Sequence, residues 1–286
     1  MVEFSGFLLL QRMLAALGLM IFTGAAYAAE SPRAYQEVFY PSGSLRIQAY
    51  LYKPSGEGPF PVIVYNHGSR ENQERESRPF PYVGEAFTSA GYVVLVTERR
   101  GYGRSDGPTH PEEIGNEVGP RLIARLRAEA DDVIAALDFL RTRPFVDTRR
   151  AAVMGWSLGG IVTMLTIART PAFKAGVDQA GGALTWNRSA AVRQALEDAA
   201  RQAQAPVLLL DAANDATTDA VTRLDRVLSE RNWPHEAKIY PPFVPQRRGW
   251  VGAPGHAIFG QEGVAIWRPD VVAFLGRYIA APAASH

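Results

Sequence analysis

The chain has 286 residues, a formal net charge of +1 and no cysteine. Balanced charge leaves no basic stripe for nucleic acid, and the missing thiols exclude disulfides, thiolate metal sites, a cysteine nucleophile and a lipid-modified N-terminal cysteine. With 47% hydrophobic and 21% charged residues the composition is that of a soluble globular fold, and the length suits a single α/β domain.

In chain order, Arg12 precedes an apolar stretch over residues 13–22, and Ala26-Tyr27-Ala28 supplies small residues at a cleavage site. This reads as a signal peptide over 1–28, leaving a periplasmic or secreted domain over 29–286 with no stable membrane insertion. The competing reading is an uncleaved membrane anchor, for which the apolar stretch is short. Next, Leu45, Ile47, Ala49 and Leu51 alternate with Arg46, Gln48, Tyr50 and Tyr52, the pattern of a half-buried strand pairing back on residues 35–40 across Pro41-Ser42-Gly43-Ser44. Continuous apolar runs follow at 62–65, 92–96, 151–154 and 207–210, as expected of strands covered on both faces of a parallel sheet. Between them, Leu122, Leu126, Ala130, Val133, Leu137 and Leu140 form a helical stripe with Arg and Glu on the opposite face. Gly91 closes a helix around Phe87, and Pro269 suits the first turn of the last helix. Residues 176–206 hold one strand end at Gly181-Gly182 and one helical stretch over 190–202, which leaves no room for a large cap. The expected fold class is α/β: one domain with a mostly parallel, doubly wound sheet flanked by helices.

The segment Gly155-Trp156-Ser157-Leu158-Gly159 joins an apolar strand to a helical pattern, with a serine at the apex. Such a turn lifts the hydroxyl out of the fold and points a helix N-terminus at whatever reacts there. A serine nucleophile needs a base, an acid and an oxyanion site. In folds with this turn the acid and then the histidine follow the serine, so His67 and His110 come too early. His235 reads as a half-exposed strand residue and His286 is terminal, which leaves His256, in Pro254-Gly255-His256-Ala257. The acid should follow the run at 207–210, where Asp211 and Asp215 compete. Asp215 is preferred because it lies beyond the strand's carboxyl end, where sites gather in parallel sheets. Oxyanion donors are expected from the backbone N–H groups of Leu158 and of Ser69, in Asn66-His67-Gly68-Ser69-Arg70. Trp156 and Trp250 are candidate pocket residues, whereas Arg247 and Arg248 read as solvated loop charges.

Taken together, Asn66-His67-Gly68-Ser69, Arg100-Gly101-Tyr102-Gly103-Arg104-Ser105, Gly155-Trp156-Ser157-Leu158-Gly159-Gly160, Asn214-Asp215 and Gly255-His256 resemble the α/β-hydrolase superfamily over residues 35–280. Within it the chain looks most like the dienelactone hydrolase-like and prolyl oligopeptidase-like branch. That resemblance implies hydrolysis of an ester, lactone, thioester or peptide bond of a small-molecule or acyl substrate, without metal or organic cofactor. True dienelactone hydrolases carry a cysteine nucleophile, whereas this chain has Ser157. A carboxylic ester hydrolase is therefore the first reading. A peptidase or acyltransferase on the same scaffold is the second, and a non-catalytic binding module the third. Oligomeric state is not legible.

Overall fold

The computed structural model describes residues 34–247 and 249–280. The expected signal with its cut after Ala28 lies outside them, as does Arg248. In chain order the strands are β1 (Gln36–Ser42), β2 (Leu45–Tyr52), β3 (Phe60–Asn66), β4 (Val93–Thr97), β5 (Val146–Trp156), β6 (Ala175–Gln179), β7 (Val207–Ala212) and β8 (His235–Tyr240). They form one sheet in the order β1-β2-β4-β3-β5-β6-β7-β8. β1 and β2 make an antiparallel hairpin and β2 runs antiparallel to β4, while every pairing from β4 through β3 to β8 is parallel. The helices are α1 (Pro81–Thr88), α2 (His110–Ile114), α3 (Pro120–Arg141), α4 (Leu158–Arg169), α5 (Ala190–Gln202), α6 (Asp219–Glu230) and α7 (Val264–Tyr278). Among the described residues no helix is long and apolar enough to cross a membrane.

Two apolar cores follow from this layering. One packs α3, α4, α5 and α6 on one face of the sheet, and the other packs α1 and α7 on the opposite face. The strands β3 and β4 are buried at every residue, which is why their sequences are unbroken apolar runs rather than alternating ones. Each fully buried Val or Leu contributes about 1.5–3 kcal/mol.

Two sequence expectations need correction. The strand β2 is not half-buried, since every residue from Ile47 to Tyr52 is covered. Its polar-tipped residues find partners inside: Tyr52 OH donates to the Pro79 carbonyl at 2.7 Å and Tyr50 OH to Glu98 at 3.1 Å. Pro269 does not open the last helix but lies inside α7. The buried stripe Trp267, Val271, Phe274 and Leu275 recruits the turn before the proline, and that packing outweighs the one backbone bond the proline cannot make. The face of α3 opposite its apolar stripe is exposed as expected, at Arg121, Arg127 and Asp131, but not every charge on the helix lies there. Arg125, Glu129 and Asp132 on this helix are all buried.

Those three residues hold the turn that leaves β4. Arg99 Nε donates to Glu129 at 2.7 Å, and its Nη2 reaches across to the His67 carbonyl at 2.9 Å. Arg125 Nε takes the other Glu129 oxygen at 2.9 Å. Burial pushes the Glu129 carboxyl up, but Arg99 and Arg125 outweigh it and hold it below the usual carboxylate range. One turn further along α3, Asp132 accepts from Arg100 Nη2 at 2.8 Å and from Ser42 Oγ at 2.7 Å. The segment Arg100–Ser105 is thus bound into the fold by its neighbours.

Removing one member of a buried ion pair strands the other. Arg99→Ala should therefore lower unfolding stability by about 3–5 kcal/mol, read from the urea midpoint. Arg149→Ala, at a guanidinium whose side chain is 87% exposed beside Asp147, should leave that midpoint in place.

Candidate active site

The strand order reverses at β3, which has β4 on one side and β5 on the other. In an open α/β sheet the crevice at the carboxyl ends of such strands is where ligands collect. Both the loop after β3 and the apex after β5 open there. Ser157 stands between β5 and α4 with φ 59° and ψ −120°, a left-handed backbone for a residue with a side chain. Its N–H is tied to the Gln179 carbonyl of β6 at 2.8 Å, and its own carbonyl accepts from Gly160 and Ile161 to start α4. The flanking glycines are required by close approach. A Cβ on Gly155 would stand 2.2 Å from the Gly159 carbonyl oxygen, and one on Gly159 would stand 2.1 Å from that of Asn66.

Asp215 lies in the turn after β7, where its N–H donates to the Ala212 carbonyl at 2.9 Å. Its Oδ1 accepts the Ala216 N–H at 2.6 Å, and its Oδ2 is 2.7 Å from His256 Nδ1. The Asp215 side chain is wholly covered. His256 sits in a short 3-10 segment, Pro254–Phe259, rather than in an open loop. Asn214 pins the two chain segments together: its side chain accepts from the Phe243 N–H at 2.8 Å and donates to the Phe243 carbonyl at 2.9 Å, while its carbonyl accepts from Gly255 at 3.2 Å. Trp156 packs beside the imidazole with ring centroids 5.5 Å apart.

The loop Asn66–Arg70 faces the apex, and a Cβ on Gly68 would meet Ser157 Cβ at 3.0 Å. His67 is fully buried. Burial first, then Arg70 and Arg99, hold its imidazole well below its ordinary pKa. It is therefore neutral, with Nδ1–H donating to the Gly68 carbonyl at 2.6 Å and Nε2 accepting from Arg70. The 3.7 Å approach of His67 to Glu98 is then not an ion pair; Glu98 is neutralised by Arg70 instead. The Arg99–Glu129–Arg125 cluster that anchors this loop was not read from the sequence. Its only signal was charged residues on a helix, which ordinarily mark a solvated face.

Two cavities meet at Ser157, and Ser69 lines both. One, of about 410 Å³, has Tyr102, Val118, Leu122, Leu158 and Ile161 in its wall. The other, of about 710 Å³, is lined by Trp156, Trp250, Phe80, Tyr82, Arg247 and His256. The structure thus brings Ser157, His256, Ser69, Leu158, Trp156 and Trp250 to one crevice, with Asp215 covered behind His256. Asp211 lies within β7, buried behind Asp215. Arg247 is exposed, as expected of a loop charge, and at the rim of the larger cavity it lies 5.0 Å over the Trp250 ring. Among the described residues no group of three or more His, Asp or Glu side chains could hold a metal ion.

Comparison with known proteins agrees with this architecture. An acylaminoacyl peptidase from Pyrococcus horikoshii superposes with a TM-score of 0.66 at 20% identity, covering 89% of this chain and 44% of that one. The Pyrococcus furiosus esterase Pf2001 superposes with a TM-score of 0.61 at 17% identity, covering 86% and 93%. At those identities the likeness is one of fold. In sequence, the quorum-quenching protein AidA of Acinetobacter baumannii is 28% identical over 148 residues, which is 52% of this chain and 44% of that relative. The match thus spans less than half of that relative's length. The profile of the Dienelactone hydrolase family matches residues 47–245, and the chain belongs to that family of α/β-hydrolases.

Proposed function

We propose that this protein is a serine hydrolase that cleaves a carboxylic ester or related acyl bond through Ser157, His256 and Asp215. The observation that carries the reading is the 2.7 Å contact of Asp215 Oδ2 with His256 Nδ1, in a crevice that His256 shares with the strained Ser157. A proton held on Nδ1 by Asp215 leaves Nε2 with its lone pair, the form a general base needs. In this reading Ser157 Oγ attacks the acyl carbon as His256 takes its proton. The N–H groups of Leu158 and Ser69 receive the oxyanion, helped by the N-terminus of α4. His256 then returns the proton to the leaving group, and water releases the acyl group by the same steps in reverse.

The two cavities give the substrate a direction. His256 lines the larger one and not the smaller. The leaving group must receive its proton from His256, so it belongs in the larger, aromatic cavity. The acyl group belongs in the smaller one, against Val118, Leu122 and Ile161. A peptide bond could occupy the same two cavities.

Two experiments test the proposal. A fluorophosphonate probe should label Ser157 and lose all labelling in Ser157→Ala. Replacing His256 by Ala should lower kcat by on the order of 10⁴, and Asp215→Asn by on the order of 10²–10⁴. Retained labelling in Ser157→Ala would remove the nucleophile assignment. The second experiment compares chromogenic esters of increasing acyl length with an aminoacyl anilide. The esters should turn over faster. Val118→Phe should cut kcat/KM for the long acyl chains by about tenfold relative to acetate, with no change of preference among leaving groups. A shift in leaving-group preference instead would mean that the two cavities have been assigned the wrong way round.

A further inference from the structure

A second carboxyl group stands behind the first. Asp211, near the end of β7, is fully buried, and its Oδ1 accepts the Ala212 N–H at 2.8 Å. Its Oδ2 is equally covered and has no donor facing it. The turn that bonds Asp215 N–H to the Ala212 carbonyl sets the Asp215 carboxylate close enough to the Asp211 carboxyl for their charges to act on each other. Asp215 is supplied with donors, the Ala216 N–H on one oxygen and His256 on the other. No lysine or arginine pairs with Asp211 among the described residues.

Two ionised carboxylates so close, both out of water, repel each other strongly. One of them keeps a proton. Asp215 has the donors that stabilise a negative charge, so the proton falls to Asp211. As a carboxylate oxygen, Asp211 Oδ2 has no partner; as a hydroxyl, it has an acceptor in Asp215.

We propose that Asp211 is a positioning residue, a protonated acid that donates a hydrogen bond to the Asp215 carboxylate and aims it at His256. This rests on the Ser157, His256 and Asp215 assignment. Burial first, and the charge of Asp215 second, push the Asp211 carboxyl up to about 9. Asp178 on β6 adds to the effect with the same sign. Of the other neighbouring groups, Lys238 and Tyr240 on β8 are taken by Asp270, and the residue paired with Asp211 across β8 is Ile239. His256 touches Asp215 rather than Asp211. The neutral acid keeps a single negative charge beside the imidazole and limits the ways the Asp215 carboxylate can rotate.

The test measures the second-order rate of fluorophosphonate labelling at Ser157 in the full chain, as a function of pH. This readout needs no knowledge of the natural substrate. At neutral pH Asp211→Leu should label about tenfold more slowly than the unaltered protein. Asp211→Asn, whose amide can donate to Asp215, should recover most of that loss. Above about pH 9 the unaltered protein should slow relative to Asp211→Asn, because the acid ionises there and the amide cannot. An Asp211→Leu protein as fast as the original would overturn the proposal, and so would an Asp211→Asn protein as slow as Asp211→Leu. So would parallel pH profiles for the original and Asp211→Asn, and that comparison decides the matter even where Asp211→Leu does not fold. Failure of the unaltered protein to label at Ser157 is a different result, which removes the underlying assignment itself.

Discussion

The site hangs on how closely helix α4 approaches the end of β3. The Asn66 carbonyl oxygen occupies the place where a Cβ on Gly159 would stand, and Gly155 meets the Gly159 carbonyl in the same way. That approach is possible only because β3 and β5 are adjacent parallel strands in register, Asn66 beside Gly155. It also explains the backbone of Ser157. A residue that must turn from strand to helix within one position, against a neighbouring carbonyl, is left with a positive φ. The strain is held by bonds on both sides, from the Gln179 carbonyl to its N–H and from its own carbonyl into α4.

Two buried charge systems flank this apex, and they differ in kind. Under the β3 and β4 loops, Arg70–Glu98 and Arg99–Glu129–Arg125 are paired ions whose attraction offsets their loss of water. They fix backbone: Arg99 reaches the His67 carbonyl, two residues before Ser69. Under the β6 and β7 ends, Asp178 and Asp211 are acids with no cation paired to them among the described residues. The first system resists movement of the loop that faces Ser157. The second sets how many negative charges stand behind His256. A fixed loop on one side and buried acids on the other are what the proposed oxyanion site and imidazole base would each require.

Much of the framework was legible because local pattern and global fold agree. The helix over 190–202 was read to the residue, and the runs at 62–65 and 207–210 lie inside β3 and β7, since short apolar runs in a parallel sheet carry no competing signal. The serine turn after β5 and the Asn214-Asp215 turn after β7 are legible because each lies at the end of an apolar run. What was not legible is long-range. Arg99 and Glu129 are 30 residues apart and look, one at a time, like ordinary surface charges. Tyr50 and Tyr52 in β2 alternate as if facing water, and only the partners from Glu98 and Pro79 make their burial possible. The start of α7 was misplaced because a proline is a strong local signal, while the Trp267 side of the helix is stabilised by tertiary packing that local rules do not see.

The acids under β6 and β7 also tie the site to overall stability. Asp178 is raised to about 7 by burial, with the Gly181 N–H bond pulling the other way, and Asp211 is raised to about 9. In the unfolded chain both ionise at about pH 4. From there upward the unfolded state releases protons that the folded state keeps, so rising pH favours unfolding. That loss builds until each carboxyl ionises in place, about pH 7 for Asp178 and about pH 9 for Asp211. An ion-paired carboxylate such as Glu129, held below the usual range, works in the opposite sense: it stabilises above its unfolded pKa and loses that contribution in acid. The two systems beside Ser157 therefore respond to pH in opposite senses. The clamp that fixes the Ser69 loop fails in acid, whereas Asp178 loses its proton at about pH 7 and Asp211 at about pH 9.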